Sequence, residues 1–187
     1  MSSSTLYSTV DGTWCRYSSG GSSAETRDLI CPSYRTSAIE GRLTSTMTTP
    51  TFEDVAACVE AFPGAEFGKG ATNAEIEAAE RELGLPIRGG YRLFLRRFGW
   101  SDLDGEIIYG LGGNTPGFAS LVDNTQWERQ QAEPSMQTHL LSIGPDGFGN
   151  HYCLDTREEE PPVVFWEHDH PDLDQQVPEV LRVSFLE

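Results

Sequence analysis

Positive charge is scarce in this chain. Its 187 residues hold 13 Lys plus Arg against 29 Asp plus Glu, for a net charge of −16. Residues 1–46 carry four acids and four arginines, so residues 47–187 hold 25 acids, 9 bases and the whole of the −16. Such a surface repels phosphate backbones, which disfavours direct nucleic-acid binding, and it speeds encounter with a basic protein. Cysteine is also sparse: Cys15, Cys31, Cys58 and Cys153 form no C-x-x-C pair. A zinc ribbon is thereby excluded and no disulfide framework is expected. Cys58 and Cys153 stand in apolar surroundings and read as buried, inert thiols. No apolar run approaches the ~20 residues that span a bilayer. The opening MSSSTLYSTVDGTW has neither the basic nor the apolar region of a secretion signal, so the expectation is a cytoplasmic protein without a membrane partner.

Catalytic signatures are missing as well. There is no G-x-S-x-G and no Gly-Lys-Ser/Thr phosphate loop. The glycine-rich stretch LLSIGPDGFGNHYCLDT (140–156) is followed by β-type residues rather than a helix, so no helix N-terminus faces its glycines. It also lacks the alternating acids of a calcium loop. Asp146-Gly147 and Gly149-Asn150 instead read as the turn of a β-hairpin. In Glu167-His168-Asp169-His170, the two histidines fall on one side of a strand, as zinc or iron ligands would. Pro171 ends that strand at once, and no motif places His139 or His151 as a third ligand. An exposed acidic loop is the expectation there, with no metal, no cofactor and no catalytic residue. Arg92, Arg96 and Arg97 read as a helix face paired with neighbouring acids.

What is present divides into two unlike pieces. Residues 1–46 contain 18 Ser or Thr and only isolated apolar residues, too few to offset the entropy of ordering. They are expected to form a disordered extension, either a tether or a stretch upstream of a natural start at Met47. From residue 52 the spacing of Phe52, Val55, Ala56 and Val59 predicts a helix stopped by Pro63-Gly64. Thr72 and Glu75 match a capping box opening a second helix, with Ile76, Ala79 and Leu83 as its apolar stripe and Gly84 as its left-handed stop. A third helix over 89–98 turns Tyr91, Phe94, Leu95 and Phe98 inward.

Beyond it, 105–112 reads as a strand and 118–131 as a helix carrying Leu121, Val122 and Trp127. Strands follow near 139–143, 150–155 and 162–167, with Trp166 in the core, and VPEVLRVSFLE (177–187) reads as a closing helix with Val177, Val180, Leu181 and Phe185 facing in. The predicted class is α+β: short N-terminal helices, then a mainly antiparallel sheet with a C-terminal helix packed on it.

In this order the pieces resemble the SUKH superfamily, the domain shared by a fungal cell-wall assembly regulator and many bacterial immunity proteins. AEIEAAERELGLPIRGGYRLFLRRFGW is similar to the family's E-x-x-L-G-x-x-L-P-x-x-Y-x-x-F-L. HLLSIGPDGFGNHYCLD resembles its strand, turn and strand ending in Asp, and VVFWEHD with VSFLE resembles its penultimate strand and terminal helix. The resemblance spans residues 52–187. It departs at Arg97-Phe98-Gly99-Trp100, where many members have Asn-Gly-Gly, and at a short C-terminal end. It implies a binder rather than an enzyme: an immunity protein that covers the basic active-site surface of a toxin, a nuclease for choice, or alternatively a regulatory scaffold within its own cell. A metal or enzyme role through His168 and His170 is the third alternative. The expected partner-binding residues are acids and aromatics at strand ends: Asp155, Glu167, Asp169, Asp172 and Asp174, with Trp100 and Tyr109 as anchors.

Overall fold

The computed structural model of the protein describes residues 6–10, 13–17, 50–169 and 177–186. Most of the expected 1–46 extension lies outside them. Within it, β1 (Leu6–Val10) and β2 (Thr13–Tyr17) pair as an antiparallel hairpin, a unit by itself.

The second unit begins with three helices whose ends are set locally. In α1 (Phe52–Ala61) the Thr51 amide donates to Asp54 Oδ2 at 2.9 Å and the Asp54 amide donates to Thr51 Oγ1 at 3.3 Å. In α2 (Asn73–Leu83) Thr72 and Glu75 make the same reciprocal box, and Gly84 closes the helix at φ 68°. These bonds satisfy amides that the first helical turn leaves without partners. After α3 (Gly89–Arg97) come β4 (Ser101–Leu103) and β5 (Glu106–Ile108), which join β3 (Glu66–Phe67) in an antiparallel sheet of order β3-β4-β5. A short 3-10 turn at Gly117–Ala119 leads into α4 (Leu121–Gln130).

The larger sheet is antiparallel with order β6-β7-β8-β9: β6 (Leu140–Pro145), β7 (His151–Asp155), β8 (Val163–Trp166) and β9 (Glu179–Arg182). Alternation along β6 and β7 sends Leu141, Ile143 and Leu154 to one face, where they meet Ile76, Leu83, Tyr91, Phe94 and Leu95 from the helices. The opposite face buries Leu140, Cys153, Val164 and Trp166 with Met136 in a second cluster. Burying each large apolar side chain contributes about 1.5–3 kcal/mol, and with both faces covered the strands carry few solvent-facing positions. Arg129 of α4 ties the layers together. Its guanidinium donates to the Leu83 carbonyl at the C-terminus of α2 (3.0 Å) and to the Leu140 carbonyl of β6 (2.6 Å).

The α+β class stands, and the closing helix is corrected. Residues 179–182 form strand β9, with Val164 opposite Val180 and Phe165 opposite Glu179. Pro178 and three β-branched valines suit an extended chain better than a helix interior. Val177 is 89 % exposed and Val180 is also exposed, whereas Phe185 does turn inward onto Tyr91 and Phe94. Trp127, expected on the inner face of α4, is 61 % exposed. Cys153 is buried and free as expected, with burial pushing its thiol pKa far up. Cys58 is half-buried and disulfide-bonded, which corrects its reading as a free thiol. Among the described residues no helix is long and apolar enough to cross a membrane.

Candidate partner-binding surface

The strand register separates the residues that the sequence grouped together. Asp155 lies opposite Leu140 at the far end of β7, while His151, at the near end, lies opposite Trp166. Glu167 follows Trp166, so Glu167 and Asp155 flank opposite ends of the sheet, five residues apart in register, about 17 Å along the strand at the usual rise. Glu167 and Asp169 are exposed at the end that carries the β6–β7 turn. Asp172, Asp174 and His170 lie outside the described residues. The expected acidic group is therefore two groups.

At the Asp155 end the carboxylates are engaged within the chain. Arg157 holds Asp155 bidentately, Nε–Oδ1 at 2.9 Å and Nη2–Oδ2 at 2.5 Å, and this contact lowers the Asp155 pKa. In the loop between β7 and β8, Glu159 pairs with Arg88 at 3.0 Å. Glu160 accepts from the Gly90 amide at the start of α3, where a carboxylate complements the helix dipole.

The opposite end is built around Asp146. Its Oδ1 accepts the Phe148 and Asn150 amides at 2.7 and 3.0 Å, and its Oδ2 accepts Asn150 Nδ2 at 2.6 Å. Burial pushes the Asp146 pKa up, and these bonds together outweigh it, so the net shift is downward. Asn150 Oδ1 in turn takes the His168 amide at 3.1 Å and lies 3.0 Å from His168 Nδ1. The glycine-rich stretch is thus a turn, as read, clipped to the end of β8. His168, one of the two candidate metal ligands, has one ring nitrogen committed to that clip. Among the described residues no three His, Cys, Asp or Glu side chains are grouped to hold a metal. Phe148, at the tip, is 85 % exposed.

One lateral row crosses the sheet beside this turn. Gly144, Tyr152, Phe165 and Glu179 are successive register partners on β6, β7, β8 and β9. The Tyr152 and Phe165 rings are 5.5 Å apart and both only partly buried. A Cβ on Gly144 would sit 2.5 Å from the Ile107 carbonyl oxygen, so the bare Gly144 backbone lets β5 press against β6 and brings Glu106 to the row. Burial raises the Tyr152 pKa, and Glu106 and Asp146 add to it. Of this row the sequence reading singled out none. Glu179 was hidden by the helical reading of its segment, and only a strand reading exposes the alternation that aligns it with Phe165.

The two proposed anchors are corrected. Trp100 is 7 % exposed, edge-on to Phe118 and close against Gly68, and its Nε1 finds no acceptor. Tyr109 is 4 % exposed, its carbonyl takes the Tyr91 hydroxyl at 2.7 Å, and its phenol pKa is pushed up to about 12 by burial, then by Glu128 and Cys153. Neither ring is offered to a partner.

A polar chain also runs through the interior. His151 Nδ1 lies 2.8 Å from Ser142 Oγ and His151 Nε2 lies 3.1 Å from Glu128 Oε1. Ser142 is 0 % exposed, so no substrate reaches its hydroxyl in this conformation, and the chain fastens β6 and β7 to α4.

Among curated proteins no relative matches the chain. A known family does match, the SUKH family described as SMI1-KNR4 cell-wall, over residues 73–187, from the first residue of α2 to the last of the chain. That stretch is well over half the sequence and holds α2, α3, α4 and the whole larger sheet, so the chain belongs to the SUKH family.

Proposed function

We propose that this protein is an immunity protein rather than an enzyme: it binds a cognate toxin and neutralises it by covering a basic working surface, a nuclease being the fitting kind. The observation that carries the reading is the charge distribution. The whole −16 falls in residues 47–187, which contain the SUKH-family region. A nuclease must present a cationic cleft to its phosphate substrate, and an anionic domain is its electrostatic complement. Long-range attraction then sets the association rate, while a few desolvated contacts set the lifetime of the complex. Such a protein acts where its toxin acts, in the cytoplasm, where reduction would open the Cys58 disulfide.

The test is co-expression with the toxin domain encoded in the adjacent reading frame. Growth is restored, and the two chains co-elute as a complex whose association slows as salt rises. Continued killing with no complex overturns the reading. The family's cell-wall description favours one other role, a regulatory scaffold docking on a protein of its own cell. Under that role, deleting the gene alters the cell wall and leaves toxin sensitivity unchanged.

A further inference from the structure

We propose that the row of Tyr152, Phe165 and Glu179, completed by Glu106 across β5, receives an arginine or lysine side chain of the basic partner. The inference rests on the binder reading for the nature of its occupant, and on this face for its place.

Three observations lead here. First, the β6–β9 register aligns Tyr152, Phe165 and Glu179 side by side, so the aromatic pair has a carboxylate in the next strand. At ~4.8 Å between strands, the row from Gly144 to Glu179 spans about 14 Å, with the aromatic pair in its middle. Second, Phe165 is not spent on the core and Tyr152 is only partly so. Phe165 belongs to neither buried cluster and touches Tyr152, which is itself only partly buried against the helix-facing core. A cation over an aromatic face gains about 0.5–1 kcal/mol at an exposed site. Third, among the described residues the Glu106 and Glu179 side chains are exposed and make no hydrogen bond or ion pair, unlike Asp155 and Glu159, which are neutralised by Arg157 and Arg88. A partner's cation approaching the Asp155 end must displace an arginine already there. Approaching the row, it meets carboxylates with no such competitor. Asp146, whose acceptor sites are taken up by the turn, adds its field without offering a contact.

The test uses the full chain and a hexa-arginine peptide, N-acetylated and C-amidated, at low salt, followed by amide NMR and by affinity. The expected result is that shifts concentrate on residues 106–107, 152, 165 and 179. Glu106→Gln with Glu179→Gln weakens binding about three- to tenfold, and Phe165→Leu weakens it about threefold. Glu158→Gln with Glu159→Gln leaves it unchanged. Shifts scattered over all acids, or centred on residues 155–160, overturn the proposal, as does unchanged affinity in the first two variants while their spectra remain those of a folded chain. Focused peptide binding at the row with no rescue from the neighbouring toxin would leave this face standing and remove the immunity reading. Rescue that survives Glu106→Gln/Glu179→Gln and Phe165→Leu with undiminished complex affinity would do the reverse.

Discussion

Glu128 and His151, one on α4 and one on β7, meet in the interior with Oε1 and Nε2 3.1 Å apart. Ser142 occupies the other ring nitrogen, so the imidazole is satisfied on both sides without water. Glu128→Ala strands the buried Nε2 and should cost about 1–3 kcal/mol in urea unfolding. Ser142→Ala strands Nδ1 in the same way but should cost less, because the bond it removes is to a neutral hydroxyl rather than to a carboxylate. The two losses should fall short of additive in the double variant, since both act on one ring. Full additivity would mean that the ring does not couple them.

Gly144→Ala forces a methyl group against the Ile107 carbonyl, a backbone atom that cannot swing aside. The expected cost is about 1–3 kcal/mol, or roughly 2–4 °C of Tm for each kcal/mol. Thermal unfolding reads it directly, and an unchanged Tm would show that β5 does not press on β6.

Thr72→Ala removes one half of the reciprocal cap on α2 and should cost about 1 kcal/mol. Thr72→Ser keeps the hydroxyl and should recover most of that. If serine and alanine behave alike, the cap is not what fixes this end of the helix.

The folded-state pKa of Asp146 lies below its ordinary value. A depressed carboxyl contributes stability that is fully present above the unfolded pKa of about 3.9 and is lost as pH falls through the folded pKa. Urea titrations from pH 6 to pH 2.5 should therefore show Asp146→Asn losing less stability over that range than the parent. Parallel curves would mean that the turn does not draw on the charge.

Much of the fold was legible because its signals are local. The Thr72 box, the Gly84 stop, the inward stripe of α3 and the 146–150 turn each follow from residues a few positions apart. The Thr51–Asp54 box is equally local, but it carries Asp where the usual box has Glu or Gln. The closing segment misled for a physical reason: Val177, Val180, Leu181 and Phe185 have helical spacing, and only pairing with β8, set by residues far away in sequence, makes them extended. Trp100, followed by Ser101 and Asp102, has the local look of an exposed anchor, and it packs instead against Gly68, more than thirty positions upstream. The binding surface suffered most. Ends of successive antiparallel strands look equivalent along the sequence, but the register throws Asp155 and Glu167 apart and lines up Tyr152 with Phe165.

The carbonyl oxygen of Gly99 accepts the Leu111 amide at 3.0 Å, and a Cβ built on Gly110 overlaps that same oxygen. Main chain lies directly on main chain there, with no side chain free to adjust the fit. Among relatives of this chain glycine should therefore persist at position 110, since any side chain there would collide with backbone that cannot swing aside.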